Sequence, residues 1–200
     1  MTPEIRRRIA EPEALEALAH PVRLELINHL MAAGPATASA CARAVGDTPS
    51  NCSYHLRVLA QVELVGEVAS PDGRERPWRA LITGFDTGAE DSAAPMTAQE
   101  AKLLAVSVQR DQRVLREYLA RRDDEPEAWR RADFHGGYTL RLAPEELREL
   151  TGKLDALIRP YIAATRPAPP PESELVHLAV QAFRAGSPAP SGPGPDPGPE

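Results

Sequence analysis

The chain has 200 residues, a formal net charge of −6 and 42% hydrophobic residues, enough for one or two ordinary domains with a core. Two cysteines cannot form a disulfide scaffold and no apolar run is long enough for a bilayer-spanning helix, so neither a cystine-stapled module nor a helical membrane protein is expected. The acidic balance gives no global sign of a polyanion partner; residues 1–83 are near neutral and most of the acidic excess lies beyond them, so any such contact must come from local charge placement.

The opening MTPEIRRRIAEPEALEALAH has arginines but no apolar segment after them, which is not a secretory signal, and a cytoplasmic protein is expected. Residues 1–11 read as a flexible N-terminus. From 12 to 33, Ala14, Leu15, Leu18, Val22, Leu26, Ile27 and Leu30 recur at helical spacing, and Pro21 divides the region into two helices. Gly34-Pro35 ends it. A small-residue helix follows from Thr37 to Val45 and closes at Gly46. Thr48 then has the character of an N-cap and Pro49 of a first helical residue, opening a helix to about Val62. Its Cys52, Leu56 and Leu59 form an inward stripe. Ser50, Ser53, Tyr54 and Arg57 form a second stripe facing away, concentrated in the first two turns. LVGEVASPDGRERPWRAL reads as two strands around a Pro-Asp-Gly turn.

Residues 84–96 read as a linker. Thr97 and Glu100 form a capping-box pattern opening a long helix to about Arg122. Trp129 falls on a short helix. Tyr138, Leu140 and Leu142 alternate as in a strand. Pro144 opens a helix with Leu147, Leu150, Leu154, Leu157 and Tyr161 at 3-4-3-4 spacing, and Val176, Leu178 and Val180 alternate in a second strand at 174–183. These elements suggest a small sheet with a helix packed on it, with the helix stripe as intramolecular core. Residues 184–200, rich in Pro, Gly and Ser, are expected to be disordered.

Three helices followed by a hairpin, with a glycine between the second and third, is the arrangement of a helix-turn-helix with a wing. ALAHPVRLELINHL, GPATASACARAVG and TPSNCSYHLRVLAQVELV, followed by the basic-flanked hairpin, resemble the ArsR-type winged-helix transcription regulators over about residues 12–83. The resemblance implies a DNA-binding head whose third helix enters the major groove. An α-helix fits that groove, where its N-terminal side chains reach base edges. Ser50, Asn51, Ser53, Tyr54 and His55 occupy that part of the helix, and Asn51 carries an amide suited to adenine. Arg57 is placed for a phosphate, Arg74 and Arg76 for the backbone or minor groove beside the wing tip, and Thr37 caps a helix whose N-terminal N–H groups can take a phosphate. His55 has a second reading, packing at the junction of helix and wing. In the family a glycine usually follows the third helix; here Glu63 stands there, so a strained or rearranged exit is expected.

Metal-sensing relatives carry a Cys-x-Cys pair where this chain has Thr37 and Ser39, or His and carboxylates on a C-terminal helix that here, at 144–161, has no His. His135 and His177 stand isolated, and both Cys41 and Cys52 read as buried small hydrophobes. No metal or other cofactor is expected, and no nucleophile, phosphate loop or carboxylate pair suggests an enzyme. The expected fold is mainly α with a small β component: the winged helix-turn-helix, then a helical or α+β dimerisation or sensing domain at 97–183. Trp129, Phe134, Tyr138 and Tyr161 are the candidates to line a pocket there. The expected partners are double-stranded DNA and a second copy of the chain, with an unidentified small-molecule or protein effector, and no membrane. The rival function is a winged-helix protein–protein interaction module without sequence-specific DNA binding.

Overall fold

Pro12, Pro21, Pro49 and Pro144 each open a helix, at the position where a missing N–H breaks no hydrogen bond. In the computed structural model, which describes residues 6–69, 76–87, 94–163, 165–166 and 168–185, they begin α1 (Pro12–Leu18), α2 (Pro21–Ala33), α4 (Pro49–Gln61) and α7 (Pro144–Ile158). Between α2 and α4 lies α3 (Ala38–Val45). Gly46 ends it in the left-handed conformation, φ 69°, and Asp47 N–H closes on Ala42 C=O at 3.0 Å. Four short strands complete the head: β1 (Arg6–Ile9), β2 (Val65–Glu67), β3 (Trp78–Ala80) and β4 (Gly84–Thr87). Beyond it come α5 (Ala98–Arg121), α6 (Glu127–Ala132) and α7. No helix of the described residues is long and apolar enough to cross a membrane.

The core is one cluster. Leu18 of α1, Leu26 and Ile27 of α2, Cys41 of α3, Leu56 and Leu59 of α4, Leu64 and Val65 leading into β2, and Leu103 of α5 are all buried in it. Fully burying each of these leucines or isoleucines contributes about 1.5–3 kcal/mol relative to leaving it exposed. Strands β2 and β3 pair antiparallel, Val65 with Ala80 and Glu67 with Trp78. Ala36, in the link between α2 and α3, extends the hairpin by exchanging two backbone hydrogen bonds with Trp78, at 2.9 and 2.8 Å. The hairpin is thereby fastened to the start of α3. Its tip, residues 70–75, lies outside the described residues.

Two segments differ from the sequence expectation. Residues 1–11 and 84–96 read as flexible end and linker, yet Arg6–Ile9 and Gly84–Thr87 pair as parallel strands, Arg6 beside Gly84 and Ile9 beside Thr87. Three successive arginines conceal a period of two. Arg7 and Ile9 face inward, with Ile9 fully buried, while Arg6 and Arg8 face out. Arg6 clamps Asp86 with two hydrogen bonds, 2.7 and 2.5 Å, across the pair. Pairing between residues this far apart in the chain leaves no local signal in either segment.

The second difference lies downstream. The alternating stretches at 137–142 and 174–183 form no strand; both are irregular and exposed, and the described residues of 97–185 contain helices and helical turns without a sheet. Their alternation finds no partner strand among the described residues, so the expected small sheet and intramolecular core are absent there. Thr97 does cap α5, its hydroxyl accepting from Glu100 N–H while the Glu100 carboxylate accepts from Thr97 N–H at 2.7 Å.

The exit of α4 carries the departure noted at Glu63. Glu63 has φ 56°, in the left-handed region, and the helix still closes with paired bonds from Glu63 N–H to Ala60 C=O, 3.1 Å, and Leu64 N–H to Leu59 C=O, 3.0 Å. Arg7 adds a donor from β1 to Val62 C=O at 3.0 Å. An L-residue in this conformation costs roughly 1–2 kcal/mol, partly offset in a glycine variant by the greater freedom of its unfolded chain. Glu63→Gly is therefore expected to stabilise the protein by about 0.5–1 kcal/mol. Urea unfolding should show a higher midpoint with an unchanged slope; a lower midpoint would mean the Glu63 side chain contributes more than its backbone costs.

Candidate nucleic-acid interface

The site is built on α4. One face, Cys52, His55, Leu56 and Leu59, is buried; the other shows Ser50, Asn51, Tyr54 and Arg57, all exposed, with Ser53 half-buried. Tyr54 is 57% exposed, unusual for an aromatic side chain that has a core beside it. Arg57 has no protein partner among the described residues.

The start of α4 is clamped twice. Thr48 Oγ1 accepts from Asn51 N–H at 3.3 Å. Asp47 reaches over the same turn, Oδ1 accepting from Thr48 N–H at 2.6 Å and Oδ2 from the Asn51 amide at 2.7 Å. These bonds, the backbone one first, hold the Asp47 carboxyl below the usual carboxylate range. Asn51 is therefore exposed but engaged, one of its two amide N–H donors spent on Asp47 and its carbonyl oxygen left open.

The structure corrects the expectation for His55. The ring is buried, 6% exposed, and packs not at the wing but against His20, with ring centroids 4.6 Å apart; the Tyr54 ring meets its edge at 5.2 Å. It supports the exposed face from behind and is closed to a groove. His20 and Arg23 are the residues that sequence reasoning used only as a family signature. His20 precedes α2 at its cap position, and Arg23 donates to two carbonyls at the end of α1, Glu16 at 3.0 Å and Ala17. The His-Pro-x-Arg motif thus fixes the α1–α2 corner against which His55 rests.

A cleft of about 320 Å³ opens between the start of α3, the start of α4 and the wing, lined by Thr37, Ser39, Pro49, Ser50, Ser53, Arg76 and Trp78. Thr37 caps α3, its hydroxyl accepting from Ala40 N–H at 3.2 Å. Four hydroxyls and one guanidinium converge on this space, a set suited to phosphate oxygens. Arg76 is also paired with Glu67 at 3.0 Å, an exposed contact worth about 0–1 kcal/mol that an anion can outcompete. Arg74 lies outside the described residues. Ser39 and Trp78 were not anticipated; Ser39, two residues beyond the cap, was legible in principle as a first-turn hydroxyl.

The remaining candidates fall elsewhere. Cys41 and Cys52 are free and buried, and burial first of all pushes the Cys41 thiol up to about 11 and Cys52 up as well. Phe134, Tyr138 and Tyr161 stand exposed, so the expected aromatic pocket does not form. A cleft of about 630 Å³ lies instead between α2, α3 and α5, lined by Val22, Leu24, Val45, Val106, Arg110 and Arg113 among others.

Residues 18–68 match the family model described as a helix-turn-helix domain. Among solved structures, the chain is similar to the homodimeric winged helix-turn-helix DNA-binding domain (fragment 1-100) of Mb0332 from Mycobacterium bovis, a possible ArsR-family transcriptional regulator. That match has 20% identity over 55% of this chain and 81% of that one, with a TM-score of 0.32. RV1404 from Mycobacterium tuberculosis matches at 15% identity over 74% and 80% of the two chains, TM-score 0.31. MepR, a transcription regulator of the Staphylococcus aureus multidrug efflux pump MepA, matches at 14% over 70% and 78%, TM-score 0.29. Likenesses this distant decide no function. A comparison with curated proteins finds no match. The matched segment holds α2, α3 and α4 in the order of a helix-turn-helix, and the β2–β3 hairpin follows it as a wing in a mainly helical chain.

The two histidines generate a pH dependence. Burial, then the positive charge of Arg23, holds both rings below the ordinary imidazole range; His20 also feels His55 and Lys102, and Asp47 opposes the shift at His55. As pH falls, the unfolded chain takes up these protons before the folded one. The stabilisation is therefore full above about pH 6.5 and lost as pH drops below it. Melting midpoints followed from pH 7.5 to 5.5 should fall, and the fall should be smaller in His55→Gln; equal slopes would refute the assignment.

Proposed function

We propose that this protein is a sequence-specific DNA-binding transcriptional regulator that works as a homodimer in the cytoplasm. The observation that carries the proposal is the single exposed face of α4, where Ser50, Tyr54 and Arg57 project from a helix start held by Thr48 and Asp47. A rigid helix end with uncommitted polar side chains enters a major groove with little ordering cost. The hydroxyl-lined cleft beside it, with Arg76, takes a phosphate on one side of the groove, and Arg57 takes one further along. The free N–H groups at the start of α3 add a backbone anchor. Asn51 contributes its open carbonyl oxygen, or its whole amide once Asp47 lets go.

Dimerisation through α5 is part of the proposal. This helix of 24 residues packs on the head through Leu103 and the ion pairs Lys102–Glu16 and Arg110–Glu25, while Leu104, Leu115 and Leu119 remain exposed along it. Pairing of that stripe around a two-fold axis sets two α4 helices on successive faces of the duplex. An effector would act through the cleft between α2, α3 and α5, since α5 joins the pairing surface to the head. The rival function, a protein-docking winged helix, is favoured by no particular contact.

Fluorescence anisotropy with duplexes from the neighbourhood of the gene tests the proposal. Arg57→Ala should weaken every duplex alike and lower the salt slope by about 1. Tyr54→Ala together with Ser50→Ala should instead compress the difference between preferred and random duplexes, by roughly 1–3 kcal/mol per base pair no longer read. If Asn51 acts only as a clamp, Asn51→Ala and Asp47→Ala will have the same effect; if it reads a base, only Asn51→Ala will relax base choice. No binding to any duplex at low salt would sink the proposal and favour the protein-docking rival.

A further inference from the structure

The chain after α5 is shaped but uncovered. Among the described residues from 104 to 185 none is buried. Tyr138, Leu140 and Leu142 alternate along one stretch and Val176, Leu178 and Val180 along another, with Tyr138 and Val176 76% and 72% exposed. No backbone hydrogen bond joins residues 134–142 or 174–185 to any described residue. Helix α7 turns Leu147, Leu150, Leu154 and Leu157 to one side without burying any of them.

These three pieces are complementary parts of one layer. Alternating apolar residues on unpaired backbone are strands lacking a ladder, and such edges are templates for another chain. A leucine stripe at helical spacing lacks a sheet to lie on. One copy holds the helix and both strand-forming segments, yet does not bring them together.

The surface area points the same way. The chain exposes 14633 Å². A compact monomer of 21.7 kDa exposes roughly 9,200 Å². If the residues outside the described set are assigned the full area of an unfolded chain, an excess on the order of 1,000 Å² remains. One partner in a standard interface buries about 800 Å².

We infer that residues 138–142, 174–183 and α7 are the interface for a second copy of this chain, where the two alternating segments become strands by pairing across copies and are covered by the α7 leucines. A second copy is the fitting occupant because the missing strand and the missing helix face are both present in the same sequence, so a two-fold axis satisfies both at once. The placement of the segments agrees. His177 lies against α5, 3.1 Å from Asp111 and 3.5 Å from Arg110, and α7 is tied to β1 by Arg6–Asp155 at 3.3 Å. The 174–183 segment therefore adjoins α5 near its exposed leucines, and α7 is held against the head. The inference rests on the homodimer proposed above and assigns it a second, larger contact.

Hydrogen exchange of the full chain, measured by mass spectrometry across protein concentrations, tests this beside sedimentation equilibrium. Amides of 138–142 and 174–183 should be slowed at least tenfold where the chain is dimeric and released on dilution. Leu178→Asp and Leu140→Asp should each raise the dimer dissociation constant at least tenfold, while the melting of the head stays unchanged. A dimer whose amides in these segments exchange freely overturns the inference and leaves the α5 pairing standing. Protection independent of concentration also overturns it, since the pairing would then lie within one chain. A monomer at every concentration removes both this interface and the α5 dimer.

Discussion

One face of α4 lies on α2 and α3, and the rest of the molecule depends on that packing. Cys52, His55, Leu56 and Leu59 are buried at i, i+3, i+4 and i+7, which fixes the rotation of the helix about its own axis. Once that rotation is fixed, Ser50, Tyr54 and Arg57 have no direction left but outward. The buried histidine belongs to this constraint. Its ring rests on His20, and His20 is held where α1 turns into α2 by Pro21 and by Arg23 bonded to the carbonyls of Glu16 and Ala17. A polar ring in that place gives up some stability at low pH while packing behind Tyr54.

Around this packing the short strands act as braces. The hairpin is joined to the start of α3 by Ala36 and Trp78, so the wing and the hydroxyl-bearing helix ends share one frame. On the opposite side β1 reaches the end of α4, where Arg7 donates to Val62 C=O beside the left-handed Glu63. The exit that lacks glycine is thus supported by a strand from the far end of the sequence. Both ends of α4 are fastened, by Asp47 and Thr48 at one and by Arg7 at the other. A helix held in this way can present side chains to a groove at little further cost in conformational entropy.

The C-terminal part obeys a different logic. The head buries its apolar side chains in one cluster, whereas α7 and the alternating segments leave theirs uncovered among the described residues. In the homodimer proposed above, association gives that part of the sequence a core, and the same assembly sets two α4 helices side by side.

The amino-acid sequence by itself determined the helices and the inward face of α4, because prolines, Thr48, Gly46 and a 3-4 apolar spacing act over a few residues. It also determined the strained exit, since a glutamate at a left-handed position is a local fact. Exposure of Ser50, Asn51, Tyr54 and Arg57 followed from the same helical period. What only the tertiary structure decided was the pairing of residues far apart. Arg6–Ile9 with Gly84–Thr87, His55 with His20, and the spending of the Asn51 amide on Asp47 depend on which surfaces meet, and a period carries no address. For the same reason the alternation at 138–142 and 174–183 announced strands without saying where their partner would be: side-chain period selects a conformation, but only a neighbouring backbone can complete its hydrogen bonds.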